Sequence, residues 1–330
     1  MARLELADFQ PFEGLHCETV ATGTLLRAAG ITLTEPMLFG IGEGLGFIFI
    51  NLRTLPLPFV GGRTRPFAIT STLCANLGVE CHSSETSSKL KAWAALEQPL
   101  RAGRPVGLQL DCFYLEYFSQ PVHFAGHFVA AYGFDDLEVL LVDTAPQGST
   151  QRASRDSVQK ARFAKGPMAA RARSWTLTAG QKEPDLPHAV RNAIRGNAAA
   201  YLSPPFKGAS YLGIRKLAAS LPRWLTLAKQ PRQNLALAAL LMDRAGTGGA
   251  LFRNFYRDFL REALDVLGRK PALTAAHDLF SASAAEWTRV ASLIERSGRT
   301  AEATHLDTAA AACLTIADLE VEAMKKLTTL

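Results

Sequence analysis

The chain has 330 residues, of which 48% are hydrophobic and 20% are charged, and its formal net charge is +6. This composition is typical of a folded globular protein and excludes a disordered or fibrous chain. A chain of 330 residues is long for a single hydrophobic core, so two domains are expected.

The N-terminal sequence MARLELAD has acidic residues where a secretory signal would carry its apolar run. The longest apolar stretches, such as residues 235–242, are far shorter than the roughly 20 residues that cross a bilayer. The sequence therefore predicts a cytoplasmic protein without a membrane partner.

The first half of the chain predicts a mixture of helices and strands. A helix over residues 18–29 is expected to end at Gly30, and two further helices are expected over 71–77 and 87–102. Dense apolar runs in the later part suit a central antiparallel sheet. The expected strands are 47–50, 106–113, 127–133 and 139–143.

The second half predicts helices alone, because apolar residues recur there at spacings of three and four from about residue 186 onward. We expect an α+β domain over residues 1–183 and an all-α domain over residues 184–330. The linker between them is expected within residues 180–187.

Two motifs are rejected as a nucleotide site and a metal site. Glycines at positions 40, 42, 44 and 46 have neither the dinucleotide-binding spacing nor the lysine of a phosphate-binding loop. They are interpreted instead as positions where the backbone closely approaches the active site or a substrate. Cys74, Cys81 and His82 do not match a common zinc spacing, so no metal site is predicted. The remaining cysteines are Cys17, Cys112 and Cys313.

Cys17 differs from the other cysteines because it stands at the expected start of a helix, where backbone N–H groups favour a thiolate. His127 opens one late strand and Asp143 ends the next, so a hairpin would bring them together. Taken alone, each residue is more often structural. The order cysteine, histidine, aspartate nevertheless favours a papain-like thiol site.

Residues 151–175 contain seven basic residues and one acid, Asp156. Such a segment is either a solvated surface or a docking site for an acidic partner. Few aromatic residues lie between the basic ones, and no nucleic-acid-binding motif is present, so nucleic acid is not an expected partner.

Several motifs together resemble the butirosin biosynthesis protein H family. They are LHC at 15–17, MLFGIGEGLGF at 37–47, LDCFYL at 110–115 and HFAGHF at 123–128. The segment GTGGALFRNFYRDFLREA at 246–263 resembles the helical domain that usually accompanies that N-terminal domain.

The resemblance implies a papain-like or C39-peptidase-like fold and an acyltransferase of natural-product (antibiotic) biosynthesis. The acyl group would come from a thioester on the phosphopantetheine arm of an acyl or peptidyl carrier protein, and a small-molecule amine would accept it. No other cofactor is implied. By position, Cys17 is the nucleophile, His127 the base and Asp143 the acid that orients it, with His123 as the rival base.

Further residues are candidates for the oxyanion hole, the amine site and the docking surface. The backbone N–H of Cys17 is the expected oxyanion-hole donor, and Gln10 is a second candidate. Glu43, Asp111 and His123 are candidates for binding the amine, and residues 152–173 for docking the carrier protein. The alternatives are a C39-like cysteine peptidase or amidase and a catalytically inactive carrier-binding protein. The oligomeric state is open, a homodimer included.

Overall fold

The computed structural model describes residues 3–52, 55–119 and 122–330. The chain divides into two compact units. The first comprises the chain up to Leu38 together with Pro66–Pro184, and the second comprises Phe39–Arg65 together with Asp185–Leu330. The predicted domains are each continuous in sequence, whereas here residues 39–65 group with the C-terminal helices.

The strands, in chain order, are β1 (Leu4–Glu5), β2 (Leu45–Ile50), β3 (Phe59–Arg63), β4 (Glu80–Ser84), β5 (Val106–Leu110), β6 (His127–Phe134), β7 (Glu138–Val142), β8 (Thr150–Ser154) and β9 (Ser174–Thr178). The helices are α1 (Cys17–Ala28), α2 (Glu35–Ile41), α3 (Ala68–Leu77), α4 (Lys89–Arg101), α5 (Arg155–Arg162), α6 (Leu186–Leu202), α7 (Ser210–Ser220), α8 (Trp224–Leu227), α9 (Pro231–Asp243), α10 (Arg253–Leu267), α11 (Pro271–Thr300) and α12 (Thr304–Leu327).

An antiparallel sheet lies at the centre of the first unit. Its strand order is β4-β9-β5-β6-β7-β8, with β1 paired along β6. The apolar strands β5, β6 and β7 are almost entirely buried, whereas β4 at one edge carries mostly exposed polar residues. The predicted α+β class, with an antiparallel sheet and a helical C-terminal region, is confirmed.

Helix α1 is the buried helix of the first unit and packs against β6. All of its residues from Cys17 to Leu26 are buried, and small side chains allow the close approach. A Cβ atom on Gly23 would lie 2.7 Å from the Leu38 side chain, so glycine is needed there. The helix begins one residue earlier than predicted, at Cys17 itself.

The second unit consists of the hairpin β2–β3 and the helices from α6 to α12. Trp224, Trp287 and Leu235 lie in one large apolar cluster formed mainly by the helices. Strand β2 packs on α7, and the ring of Phe47 stacks on Trp287 with centroids 5.6 Å apart. The apolar pattern of residues 47–50 therefore marks a strand that packs on helices.

A buried ion pair lies inside the second unit. The guanidinium of Arg253 donates from Nε and Nη2 to Glu320 at 2.8 and 2.9 Å, and neither side chain is exposed. Glu320 also accepts hydrogen bonds from Tyr201, Ser283 and Trp287 at 2.5, 2.6 and 3.0 Å. Burial alone would raise the pKa of Glu320, but Arg253 and these donors hold it below its usual value. The carboxylate is therefore charged and fully hydrogen-bonded.

Among the described residues, no helix combines the length and the apolar character that a bilayer crossing needs.

Candidate active site

Cys17 is the first residue of α1, and the half-buried carboxylate of Glu35 fixes the chain just before it. Glu35 accepts hydrogen bonds from the backbone N–H of Leu15 at 3.0 and 2.9 Å and of His16 at 2.8 Å, and from the Thr19 hydroxyl at 2.8 Å. Burial raises the pKa of Glu35, and these donors oppose that rise. An α-helix leaves its first backbone N–H groups without a partner inside the helix, and Cys17 stands at that end of α1.

The residue after Cys17 ties α1 to α3. Glu18 is buried, and its carboxylate accepts from the backbone N–H of Phe67 at 3.1 Å and of Thr70 at 3.0 Å. It thereby caps the N-terminus of α3, where a negative charge is stabilising. The first turn of α1 is therefore held from both sides, by Glu35 before Cys17 and by Glu18 after it.

His127 and Asp143 lie at the same end of the β6–β7 hairpin. Ala130 pairs with Val142 in the antiparallel register, so the start of β6 and the residue that follows β7 lie at the same end of the two strands. The imidazole Nε2 of His127 lies 2.8 Å from Oδ2 of Asp143. Cys17 lies close enough to His127 to help Asp143 raise the pKa of the imidazole. The structure thus brings together the three residues that the sequence nominates.

The electrostatics of the three residues favour a protonated imidazole. Burial lowers the pKa of His127, but the charge and hydrogen bond of Asp143, together with the nearby Cys17, outweigh it, so the pKa lies well above the usual value. Burial raises the pKa of Asp143, yet His127, Thr144 and Tyr117 hold it below its usual value. At neutral pH the pair is an imidazolium beside a carboxylate, which is the charge state that stabilises a thiolate.

Two further side chains contact this group without having been nominated from the sequence. The hydroxyl of Tyr117 donates to Oδ2 of Asp143 at 2.8 Å. The ring of Phe118 meets the imidazole of His127 edge to face, with centroids 5.4 Å apart. Nothing in their spacing relative to Cys17 distinguishes them, because only the fold brings the 114–118 segment to the end of the hairpin.

His123, the rival base, has a different acidic partner. Its Nδ1 lies 2.9 Å from Oδ2 of Asp111, its ring stacks on Phe113 at 3.9 Å, and its side chain is 62% exposed. Asp111 accepts from the N–H of Phe113 and of Phe124 through Oδ1 at 3.0 and 2.9 Å. Both oxygens of Asp111 therefore hold its own loop, and His127 is the histidine that contacts Cys17 and Asp143.

The other two nominated residues lie in different surroundings. Gln10 is exposed, whereas Cys17, His127 and Asp143 are buried. Glu43 belongs to the second unit, where a Cβ atom on Gly196 would lie 2.5 Å from its carboxylate. Its charge also adds to the effect of burial in raising the pKa of Tyr256.

The basic segment 151–175 forms β8, α5 and β9, and its members are not equivalent. Arg162 is buried, donates to the carbonyls of Ala92 and Ala172 at 2.9 and 3.2 Å, and has its pKa lowered to about 10 by burial. Other members have local partners, as Arg155 stacks on Trp93 and Arg173 pairs with Glu85. The mostly exposed members are Arg152, Lys160, Lys165 and Arg171.

Three other cysteines of the first unit have contacts different from those of Cys17. Burial raises the pKa of Cys112, whose Sγ lies 3.4 Å from the carbonyl of Val122. Cys74 on α3 contacts Cys81 on β4, and this hydrogen bond lowers the pKa of Cys81. Among the described residues, no group of three or more histidines, cysteines and acids is arranged to hold a metal ion.

Two protein families match the chain. Residues 16–144 match the family described as butirosin biosynthesis protein H, N-terminal; the match begins one residue before Cys17 and ends one residue after Asp143. Residues 156–327, over half of the chain, match the family described as a domain of unknown function, DUF4872. Comparison with curated proteins finds no match. The chain therefore belongs to the butirosin biosynthesis protein H-like family, with the N-terminal domain followed by a DUF4872 domain.

Proposed function

We propose that this protein is an acyltransferase that moves an acyl group from a carrier-protein thioester, through an acyl-enzyme on Cys17, to an amine. The observation that carries the proposal is the grouping of Cys17, at the start of α1, with an imidazole of His127 that is hydrogen-bonded to Asp143. Membership of the family suggests a role in butirosin-type biosynthesis, where such a transfer would form an amide.

In the first step the thiolate of Cys17 attacks the thioester carbonyl, forming a new sulfur–carbon bond and an oxyanion. The backbone N–H of Cys17, at the N-terminus of α1, is the proposed donor to that oxyanion. Collapse of the intermediate breaks the bond to the carrier's sulfur, and that sulfur takes the proton of the His127 imidazolium.

In the second step the amine nitrogen attacks the acyl-enzyme and His127, now neutral, accepts its proton. Breaking of the bond to Cys17 returns the thiolate, and the imidazolium beside Asp143 is restored. Exchange between thioesters is nearly isoenergetic and amide formation is downhill, so the scheme needs neither ATP nor a metal ion.

The proposed donor partner docks on the exposed basic residues of the 152–173 segment. Arg152, Lys165 and Arg171 present positive charge there, whereas Arg162 is buried and contributes to the interior. An acidic carrier protein would be attracted to such a surface, mainly through its rate of association.

The test is intact-protein mass spectrometry after mixing the full chain with a panel of acyl-loaded carrier proteins. We expect an added acyl mass on the wild type that peptide mapping assigns to Cys17, and no such mass on Cys17→Ala. Cys112→Ala is the matched control, because it removes a neighbouring thiol with a raised pKa and should still be acylated. An adduct that persists in Cys17→Ala, or one that never forms, would refute the proposal.

A cysteine hydrolase would form the same adduct, so the second step needs its own measurement. We expect an added amine to consume the acyl-enzyme and give an amide, with water giving the free acid only slowly. If the acid forms at the same rate with and without amines, the protein is a hydrolase instead.

A further inference from the structure

Asp143 accepts two different donors on one oxygen. The imidazole Nε2–H of His127 and the hydroxyl of Tyr117 both lie 2.8 Å from Oδ2. The other oxygen, Oδ1, accepts from the backbone N–H of Thr144 at 2.6 Å. The side chain of Asp143 is fully buried, so these donors replace the water that would otherwise solvate its charge.

The direction of the hydrogen bond from Tyr117 is determined by its surroundings. Burial and the adjacent charge of Asp143 raise the pKa of Tyr117 well above its usual value, so the hydroxyl keeps its proton. Asp143 is charged and can only accept. Tyr117 is therefore the donor and Asp143 the acceptor at neutral pH.

The segment that carries Tyr117 is anchored on both sides of it. Glu116 accepts from the backbone N–H and the hydroxyl of Ser154, at the end of β8, at 2.9 and 2.6 Å. Phe118 donates its N–H to the carbonyl of Leu115 at 3.1 Å and places its ring against His127. A tyrosine held in this way keeps its hydroxyl at a constant position relative to the sheet.

We propose that Tyr117 is a positioning residue that holds the Asp143 carboxylate in the rotation in which Oδ2 points at His127, and that it moderates the strength of this contact. The inference rests on the proposed function for its catalytic consequence, although its effect on Cys17 and His127 is measurable without any transfer.

Loss of the hydroxyl has two expected consequences. With one donor fewer, the carboxylate becomes a stronger acceptor for His127, so the imidazolium keeps its proton to a higher pH. The carboxylate also gains freedom to rotate, which lowers the fraction of enzyme in which His127 is aimed at Cys17. Tyr117→Phe should therefore shift the pH at which His127 loses its proton to a higher value. It should also lower kcat while leaving the KM for the carrier protein unchanged.

The experiment follows alkylation of Cys17 by iodoacetate as a function of pH, with peptide mapping to separate Cys17 from Cys81. The anionic reagent is attracted by the imidazolium, so the rate falls on the basic side as His127 loses its proton. We expect the midpoint of this fall in Tyr117→Phe to lie about half a pH unit above that of the wild type. Tyr114→Phe removes the same atom from a neighbouring tyrosine and should leave the midpoint unchanged.

Two further variants separate a positioning role from a structural one. In an Asp143→Asn background, Tyr117→Phe should cause no additional shift, because its effect passes through the carboxylate. Replacement of Tyr117 by 3-fluorotyrosine, a stronger donor of the same shape, should move the midpoint to lower pH. It also provides the test if Tyr117→Phe fails to fold.

An unchanged midpoint in Tyr117→Phe, or the same shift in the Asp143→Asn background, would overturn the proposal and leave the acyl transfer intact. The converse result is a shifted midpoint in a protein that forms no acyl adduct. It would support the positioning role and refute the acyl transfer. If the rate of Cys17 alkylation in the wild type does not fall at high pH, the positioning role and the acyl transfer are both overturned.

Discussion

The backbone N–H of Ala145 donates to the carbonyl oxygen of Gly14 at 2.8 Å. This bond joins the turn that follows Asp143 to the turn that precedes Cys17. The two turns are far apart in the sequence of the first unit, and the turn after Asp143 connects β7 to β8. The nucleophile and the acid are therefore linked by the backbone as well as through His127.

Gly14→Ala should lower the reactivity of Cys17 more than it lowers the stability of the fold. A Cβ atom there would lie 2.8 Å from the carboxylate of Glu35, which must then move and release the N–H groups of Leu15 and His16. Because the start of α1 shifts with them, we expect a loss of about tenfold to a hundredfold in Cys17 alkylation at neutral pH.

Gly30→Ala is the control for that loss. Gly30 follows α1 with φ +84 and an open surrounding, so alanine costs about 1 kcal/mol of stability without touching Cys17. Its alkylation rate should equal that of the wild type. Equal rates for Gly14→Ala and the wild type would mean that the contact with Glu35 does not position Cys17.

Replacement of the two histidines should separate their roles. His127→Ala removes the imidazolium beside Cys17, and we expect at least about a tenfold fall in alkylation at neutral pH. His123→Ala removes a mostly exposed ring paired with Asp111, so the rate should stay within about twofold of the wild type. Peptide-mapped alkylation measures both, and the reverse ranking would make His123 the base.

The sequence predicts much of the first unit for identifiable physical reasons. Helix α1 and strands β5 to β7 have apolar runs long enough to specify their burial. Strands β4, β8 and β9 are not predicted, since β4 and β8 are polar edge strands and β9 lies in a segment dominated by basic residues. The predicted strand 106–113 ends at Leu110 because Asp111 caps a short turn over Cys112–Tyr114.

Some residues of the site can likewise be predicted from the sequence, and others cannot. Cys17, His127 and Asp143 can be nominated because the residue type and the position in an element both signal a role. Tyr117 and Glu35 cannot, since their partners are Asp143 and the turn before Cys17, and only folding brings them within hydrogen-bond distance. Likewise, no local feature of residues 39–65 indicates that they group with the C-terminal helices.

The contribution of the His127–Asp143 pair to stability should depend on pH in a defined direction. The folded pKa of His127 is raised, so its contribution is complete below the usual value of 6.5 and is lost as the pH rises through the folded pKa. The folded pKa of Asp143 is lowered, so its contribution is complete above 3.8 and is lost at lower pH. The pair therefore stabilises fully between those two values.

Asp143→Asn tests this window through the free energy of unfolding in urea. We expect the variant to be less stable than the wild type by about 3 kcal/mol at pH 5, with a smaller difference at pH 9. Asp135→Asn, at an exposed turn between β6 and β7, is the matched control. Its difference in unfolding free energy from the wild type should not become smaller between pH 5 and pH 9. A difference that grows toward pH 9 would contradict the assigned charge state.

Glu320→Gln should destabilise the second unit strongly. It leaves the buried guanidinium of Arg253 without its counter-charge, which typically costs about 3–5 kcal/mol. Glu322→Gln is the control on the same helix, because its exposed pair with Lys326 contributes little. Thermal unfolding followed by far-UV circular dichroism should show a large fall in Tm for the first variant alone, and similar Tm values for both would refute the role of the ion pair.

Charge reversal on the proposed docking surface should weaken the use of the carrier protein without changing the chemistry. For Arg152→Glu/Lys165→Glu we expect about a tenfold higher KM for the carrier, an unchanged kcat and a weaker dependence on salt, since exposed charges act over about 8 Å at physiological ionic strength. Lys89→Glu/Lys91→Glu makes the same charge change at exposed positions of α4 and should leave the KM unaltered. Steady-state transfer at two salt concentrations measures all three quantities, and equal effects of the two double variants would show that net charge alone, rather than this surface, attracts the carrier.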